Sequence, residues 1–137
     1  MKVKIALSMG LLVMILVAAR PGLAHHSFSL FDMTKDVAYK GIVLEYKWVN
    51  PHVHMILQVD ADSGDPSTAG TWDIEGASTN IMARQGWTRA SFTAGEKVTV
   101  VAHPLKDGSK GASMFYVILP DGQRLYQDIA RPKADQQ

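Results

Sequence analysis

A mostly β fold is what this sequence predicts, and three observations predict it. Short runs of β-branched and aromatic residues recur from Val37 onward, bounded by Gly, Pro, Asn or Asp. In two of these runs, His52 to Val59 and Thr71 to Glu75, apolar residues recur at every second position. A single stretch, Ala77 to Gln85, has helical spacing instead.

Met1 to Ala24 reads as an export signal. Lys2 and Lys4 start it, Ile5 to Ala19 is apolar, and Gly22-Leu23-Ala24 is a small-x-small cleavage site. The apolar run is shorter than the roughly 20 residues a membrane span needs, and Arg20-Pro21 interrupts it, so a removed signal is expected rather than an anchor. Cutting after Ala24 is expected over cutting after Ala19 and makes His25 the first residue. His25 to Asp36 is then a leader that Phe28, Leu30 and Phe31 pin to the domain.

Residues 37–130 are the expected β-domain. Val37 to Val49 is the first strand, with Gly41 marking a bulge or bend. Asn50-Pro51 ends it, because proline cannot continue the ladder. His52 to Val59 is the second strand; alternation puts His52, His54, Ile56 and Gln58 on one face and Val53, Met55, Leu57 and Val59 on the other. Asp60 to Gly70 is an exposed loop. Thr71 to Glu75 is the third strand, with Trp72 and Ile74 inward and Asp73 and Glu75 on a solvated face. Ser78 or Thr79 caps the short helix, and Gly86 stops it.

Val98 to Ala102 is the fourth strand, and His103-Pro104 is expected to turn away from it. Ser113 to Leu119 is the fifth, Asp121-Gly122 a hairpin turn, and Arg124 to Ile129 a sixth strand. Residues 131–137 read as a flexible tail. Three strands, a helix, then two or three strands is the element order of a small OB-like Greek-key barrel of five or six strands, its helix between strands three and four. A β-sandwich is the rival arrangement. Trp48 and Trp72 are expected to fill the barrel.

His25-His26-Ser27-Phe28, Trp48-Val49-Asn50-Pro51-His52, Trp72-Asp73-Ile74-Glu75, Arg84-Gln85-Gly86-Trp87, Gly95-Glu96-Lys97-Val98 and Asp121-Gly122 follow one another along the chain. As a set they resemble a family of short exported bacterial proteins known only as a domain of unknown function. The resemblance spans nearly the whole chain after the signal. It implies export and one small β-domain; it supplies no activity and no catalytic residue.

Composition narrows the function. Removing residues 1–24 takes away three cations, Lys2, Lys4 and Arg20, and no anion, so a net charge of +1 becomes −2. A nearly neutral domain without a basic cluster argues against a nucleic-acid partner. With no cysteine, disulfides, thiolate metal sites and cysteine nucleophiles are excluded. No serine sits in a G-x-S-x-G turn, and Asp107-Gly108-Ser109-Lys110-Gly111 lacks the spacing and following helix of a phosphate loop. A binding protein is expected rather than an enzyme.

Five histidines carry the remaining chemistry: His25, His26, His52, His54 and His103. An N-terminal His25 offers an α-amine and an imidazole close together, a pair that suits copper ahead of zinc or nickel. His52 and His54 share a strand face with Cβ atoms roughly 7 Å apart, close enough to serve one ion. The arrangement is similar, at the level of the site alone, to the histidine brace of copper-dependent polysaccharide monooxygenases and some periplasmic copper carriers. His25, His26, His52 and His54 are therefore the candidate metal ligands. Met33 and Met114 are soft candidates for Cu(I), while Met55 belongs to the core face. The expected protein is a periplasmic or secreted copper-binding domain with a metal ion or small ligand as partner. The alternative is a metal-free module recognising a peptide, glycan or protein through Tyr46 and Trp48. Nothing in the sequence fixes an oligomeric state.

Overall fold

The computed structural model describes residues 28–61 and 64–127. Its strands are β1 (Val37–Lys47), β2 (His54–Val59), β3 (Gly70–Glu75), β4 (Lys97–Pro104), β5 (Gly111–Ile118) and β6 (Arg124–Tyr126), and its one α-helix among the described residues is α1 (Thr79–Arg84), between β3 and β4. The sheet order is β3-β2-β1-β4-β5-β6, and a further β3–β5 pairing closes the first five strands into a barrel with β6 added outside the ring. All neighbours are antiparallel except β3 and β5, which pair in parallel from Asp73/Gly111 to Glu75/Ser113. The small barrel predicted from element order is the fold of this chain.

The alternation read in the sequence is the alternation of the barrel wall. Val53, just before β2, and Met55, Leu57 and Val59 within it point inward and are at most 1% exposed, with Ile74 and Trp72 from β3 beside them. Tyr39, Val43, Val100, Ala102, Met114 and Val117 belong to the same core. The buried indoles satisfy their N–H groups, as burial requires. Trp72 Nε1 donates to the Thr68 carbonyl at 2.6 Å and Trp87 Nε1 to the Tyr126 carbonyl at 2.7 Å.

Several local expectations change. The bulge in β1 lies at Leu44, not Gly41: Val43 opposes Leu57, and Glu45 opposes Ile56. Gly41 instead sits between two partners, Val59 of β2 and Val98 of β4. A Cβ there would run into the Gln58 carbonyl, so glycine allows β2 and β1 to approach closely where β1 serves both halves of the barrel.

His103-Pro104 does not turn away; both residues belong to β4, opposite Ser113 and Ala112. The leader lies against this end. Pro104 lacks a donor but its carbonyl accepts from Asp32 N at 2.8 Å, and Phe31 bridges Leu105. Lys106 adds two bonds, from its N to Leu30 O at 3.0 Å and from Nζ to Ser29 O at 2.8 Å. Phe31 is 7% exposed and pins the leader as expected, whereas Leu30 stays 49% exposed.

Ser78 occupies the cap position of α1 without a side-chain hydrogen bond. Asn50, within the β1–β2 connection, takes that role: its Oδ1 accepts from Thr79 N at 3.2 Å and Thr79 Oγ1 at 2.9 Å. Gly86, at φ +90°, stops the helix as predicted, with Trp87 N bonded to Met82 O. The predicted sixth strand runs only from Arg124 to Tyr126 before the described residues end at 127.

Candidate histidine–carboxylate site on the β2–β3 wall

Antiparallel pairing of β2 with β3 brings together two outward rows that are far apart in sequence. His54 opposes Glu75, and Ile56 opposes Asp73. His54 and Asp73 are thus diagonal neighbours on the outer wall, within reach of each other's side chains. His54 Nδ1 lies 2.8 Å from Asp73 Oδ1. A carboxylate only accepts, so Nδ1 carries a proton; in the neutral ring Nε2 then holds the lone pair that a metal or a hydrogen-bond donor would take.

His52 precedes β2 and has partners of the same kind. Its Nδ1 is 3.1 Å from the Gly76 carbonyl and 3.0 Å from Glu75 Oε1. His103 repeats the pattern on β4, with Nδ1 3.0 Å from Lys35 O and 3.2 Å from Asp36 Oδ1. It is 8% exposed and its ring stacks on Phe115 at 5.6 Å, which makes it part of the clasp that holds the leader.

His54 differs from His52 in its surroundings. It lines a depression of about 360 Å³ together with Leu30, Phe31, Asp73, Leu105 and Lys110. Leader, β2, β3 and the loop before β5 therefore meet at this point. The Lys110 ammonium is drawn aside: Nζ donates to Ala69 O at 2.5 Å and stands 5.5 Å from the centre of the Trp72 ring.

Among the described residues, no group of three or more His, Asp and Glu side chains is arranged to hold a metal ion. His52 and His54 share a face, as alternation required, but each turns to its own carboxylate on β3. His25 and His26 lie outside the described residues. Met55 and Met114 are fully buried in the core and Met33 is 46% exposed.

Tyr46 and Trp48 lie 6.1 Å apart with rings tilted 46°, both half-buried against the core, and Tyr46 meets Phe92 edge-on at 5.5 Å. The bulge at Leu44 turns Tyr46 inward. Its hydroxyl is buried without a hydrogen-bond partner among the described residues, and burial pushes its pKa well up. Trp72 and Trp87 are both core residues.

Sequence reasoning placed Asp73 and Glu75 on a solvated face and did not connect them to the histidines. The residue types were visible as His-x-His on one strand and Asp-x-Glu on the next, but only the β2–β3 register pairs them.

No characterised protein and no solved structure matches the chain. A family model does match, over residues 13–114, and the chain accordingly belongs to DUF6152, a family of unknown function.

Proposed function

We propose that this chain is an exported protein that binds Cu(II), with the α-amine and imidazole of His25 as one chelating pair and Nε2 of His54 as a further ligand. The observation that carries the reading is the meeting of the leader with His54. Leu30 and Phe31 line the same depression as His54, and only five positions separate Leu30 from His25. An extended chain covers that interval in at most about 17–18 Å, so His25 is within tether reach of the depression once the chain begins there.

The second support is Asp73. A ligating histidine whose other ring nitrogen is held by a carboxylate is oriented and made more basic. His54 has that partner at 2.8 Å. Nitrogen ligands without thiolate favour Cu(II) among the divalent ions. His26 and His52 are alternative donors; His52 does not line the depression, which favours His54.

The reading requires cleavage after Ala24, and intact-mass measurement of the protein recovered from the periplasm checks that step. Calorimetric titration with Cu(II) tests the site. The chain beginning at His25 binds more than about tenfold more tightly than the same chain acetylated at its N-terminus. Asp73→Asn weakens binding by about 10–100-fold, and affinity falls on acidification as protons compete for the imidazoles. Equal affinity of the free and acetylated chains removes His25 from the site.

A second reading, a metal-free binding module, rests on the partnerless Tyr46 hydroxyl beside Trp48. A melting temperature unmoved by copper but raised by a peptide or glycan would favour it.

A further inference from the structure

The described residues include six lysines, and four of them have partners. Lys35 pairs with Asp32 at 3.0 Å and Lys47 with Glu45 at 3.2 Å. Lys106 and Lys110 donate to backbone carbonyls at 2.8 and 2.5 Å. Lys40 and Lys97 have neither an ion pair nor a hydrogen bond among the described residues. Both line one cavity of about 420 Å³, which shares no residue with the histidine depression.

Strand register explains the coincidence. Lys40 of β1 opposes Thr99 of β4, and Lys97 opposes Ile42. The two lysines are therefore diagonal neighbours on the outside of the barrel, roughly 7–8 Å apart at the backbone. Two like charges at that spacing repel each other, and among the described residues no anion lies within ion-pairing reach of either. Ile118, Leu119 and Pro120 give the wall an aliphatic side, with Thr99 and Asp60 as its polar members. A cavity with a cationic rim and an aliphatic wall is complementary to a molecule with an anionic head and an apolar body.

Asp60 refines the match. It lines the same cavity, and its backbone N is bonded to Lys40 O at 3.4 Å. Among the described residues lining the cavity, two ammonium groups against one carboxylate leave a surplus of one positive charge, which a single carboxylate neutralises and a dianion exceeds. The volume is at the small end of ligand sites, about 300–1,000 Å³. We infer that the Lys40–Lys97 cavity binds a small organic monocarboxylate, an acid carrying an aliphatic or aromatic body, with the lysines at the carboxylate and Ile118 and Leu119 against the body. This site does not depend on the copper reading.

The test is an NMR titration of the copper-free chain with 4-phenylbutyrate, with 4-phenylbutanol and with inorganic phosphate. The acid shifts the resonances of Thr99, Ile118 and Leu119, with a Kd on the order of 1 mM for a ligand of this size. Lys40→Met and Lys97→Met, both exposed and both retaining an unbranched chain, each weaken it by about three- to tenfold, while Lys47→Met leaves it unchanged. Raising the salt concentration weakens it further. The inference is overturned if the alcohol binds as well as the acid, if phosphate alone binds equally well, if both lysine variants retain full affinity, or if the acid shifts none of these resonances. A peptide ending in leucine that binds where its amidated form does not, and more tightly than phenylbutyrate, would replace the free acid with a chain terminus and also overturn it.

Discussion

Tyr46 carries a hydroxyl that the barrel buries without a hydrogen-bond partner among the described residues. Leaving such a group unsatisfied costs roughly 1–3 kcal/mol. Tyr46→Phe therefore stabilises the domain by about 1 kcal/mol in urea unfolding, unless the hydroxyl is reserved for a ligand, whose binding the variant then loses. Tyr39 gives a pH-dependent counterpart. It is 1% exposed, and burial pushes its pKa up to about 12. A raised pKa means that the folded state favours the neutral phenol. The stabilisation is intact below the unfolded value near 10 and is lost as pH rises through about 12. Urea midpoints measured from pH 9 to 12 fall for the wild-type chain, and fall less steeply for Tyr39→Phe. Individual residues were legible in the sequence where period two ran unbroken, as at Met55, Leu57 and Ile74. Tyr46 was not, because the extra residue at Leu44 reverses the parity of β1 beyond it, and nothing in the local composition marks that position as the bulge.

At the scale of elements, α1 is the most dependent on its surroundings. Six residues are too few to be helical alone. Met82, fully buried, holds one face to the core, and Asn50 caps the N-terminus from outside the helix. Asn50→Ala is expected to cost about 1 kcal/mol of unfolding free energy, and Asn50→Asp, which keeps the acceptor, much less. Comparison of the two by chemical denaturation separates the cap from a general effect of altering the connection. The helix was legible from its change of period and from Gly86. Its cap was not, since the capping residue lies 29 positions before Thr79 and becomes a neighbour only when the chain after β1 folds back. The same holds for the end of β4. His103-Pro104 resembles a turn when read locally, and becomes strand because Asp32 of the leader and Ala112 of β5 flank it.

For the whole molecule, closure of the barrel organises the outer surface. β1 reaches both β2 and β4 because Gly41 leaves room for the Gln58 carbonyl, and the parallel pairing of β3 with β5 seals the ring. Closure sets the loop before β5 beside β3. The leader then lies along Leu105, and a depression forms in which it meets His54 and Asp73. The barrel was legible from element order and from the helix between the third and fourth strands. The histidine–carboxylate pairs were not, because they arise from register between strands and not from spacing within one. Copper binding by His25 and His54 is the central claim, and it is a statement about the whole chain: signal removed, leader strapped down, barrel closed. The most direct test is electron paramagnetic resonance of the chain beginning at His25, loaded with stoichiometric Cu(II), compared with His54→Ala. Nitrogen couplings from the amine and both imidazoles are expected, with the His54 coupling lost in the variant while circular dichroism shows the barrel intact. A spectrum that His54→Ala leaves unchanged, or one of copper held by water alone, would contradict the claim.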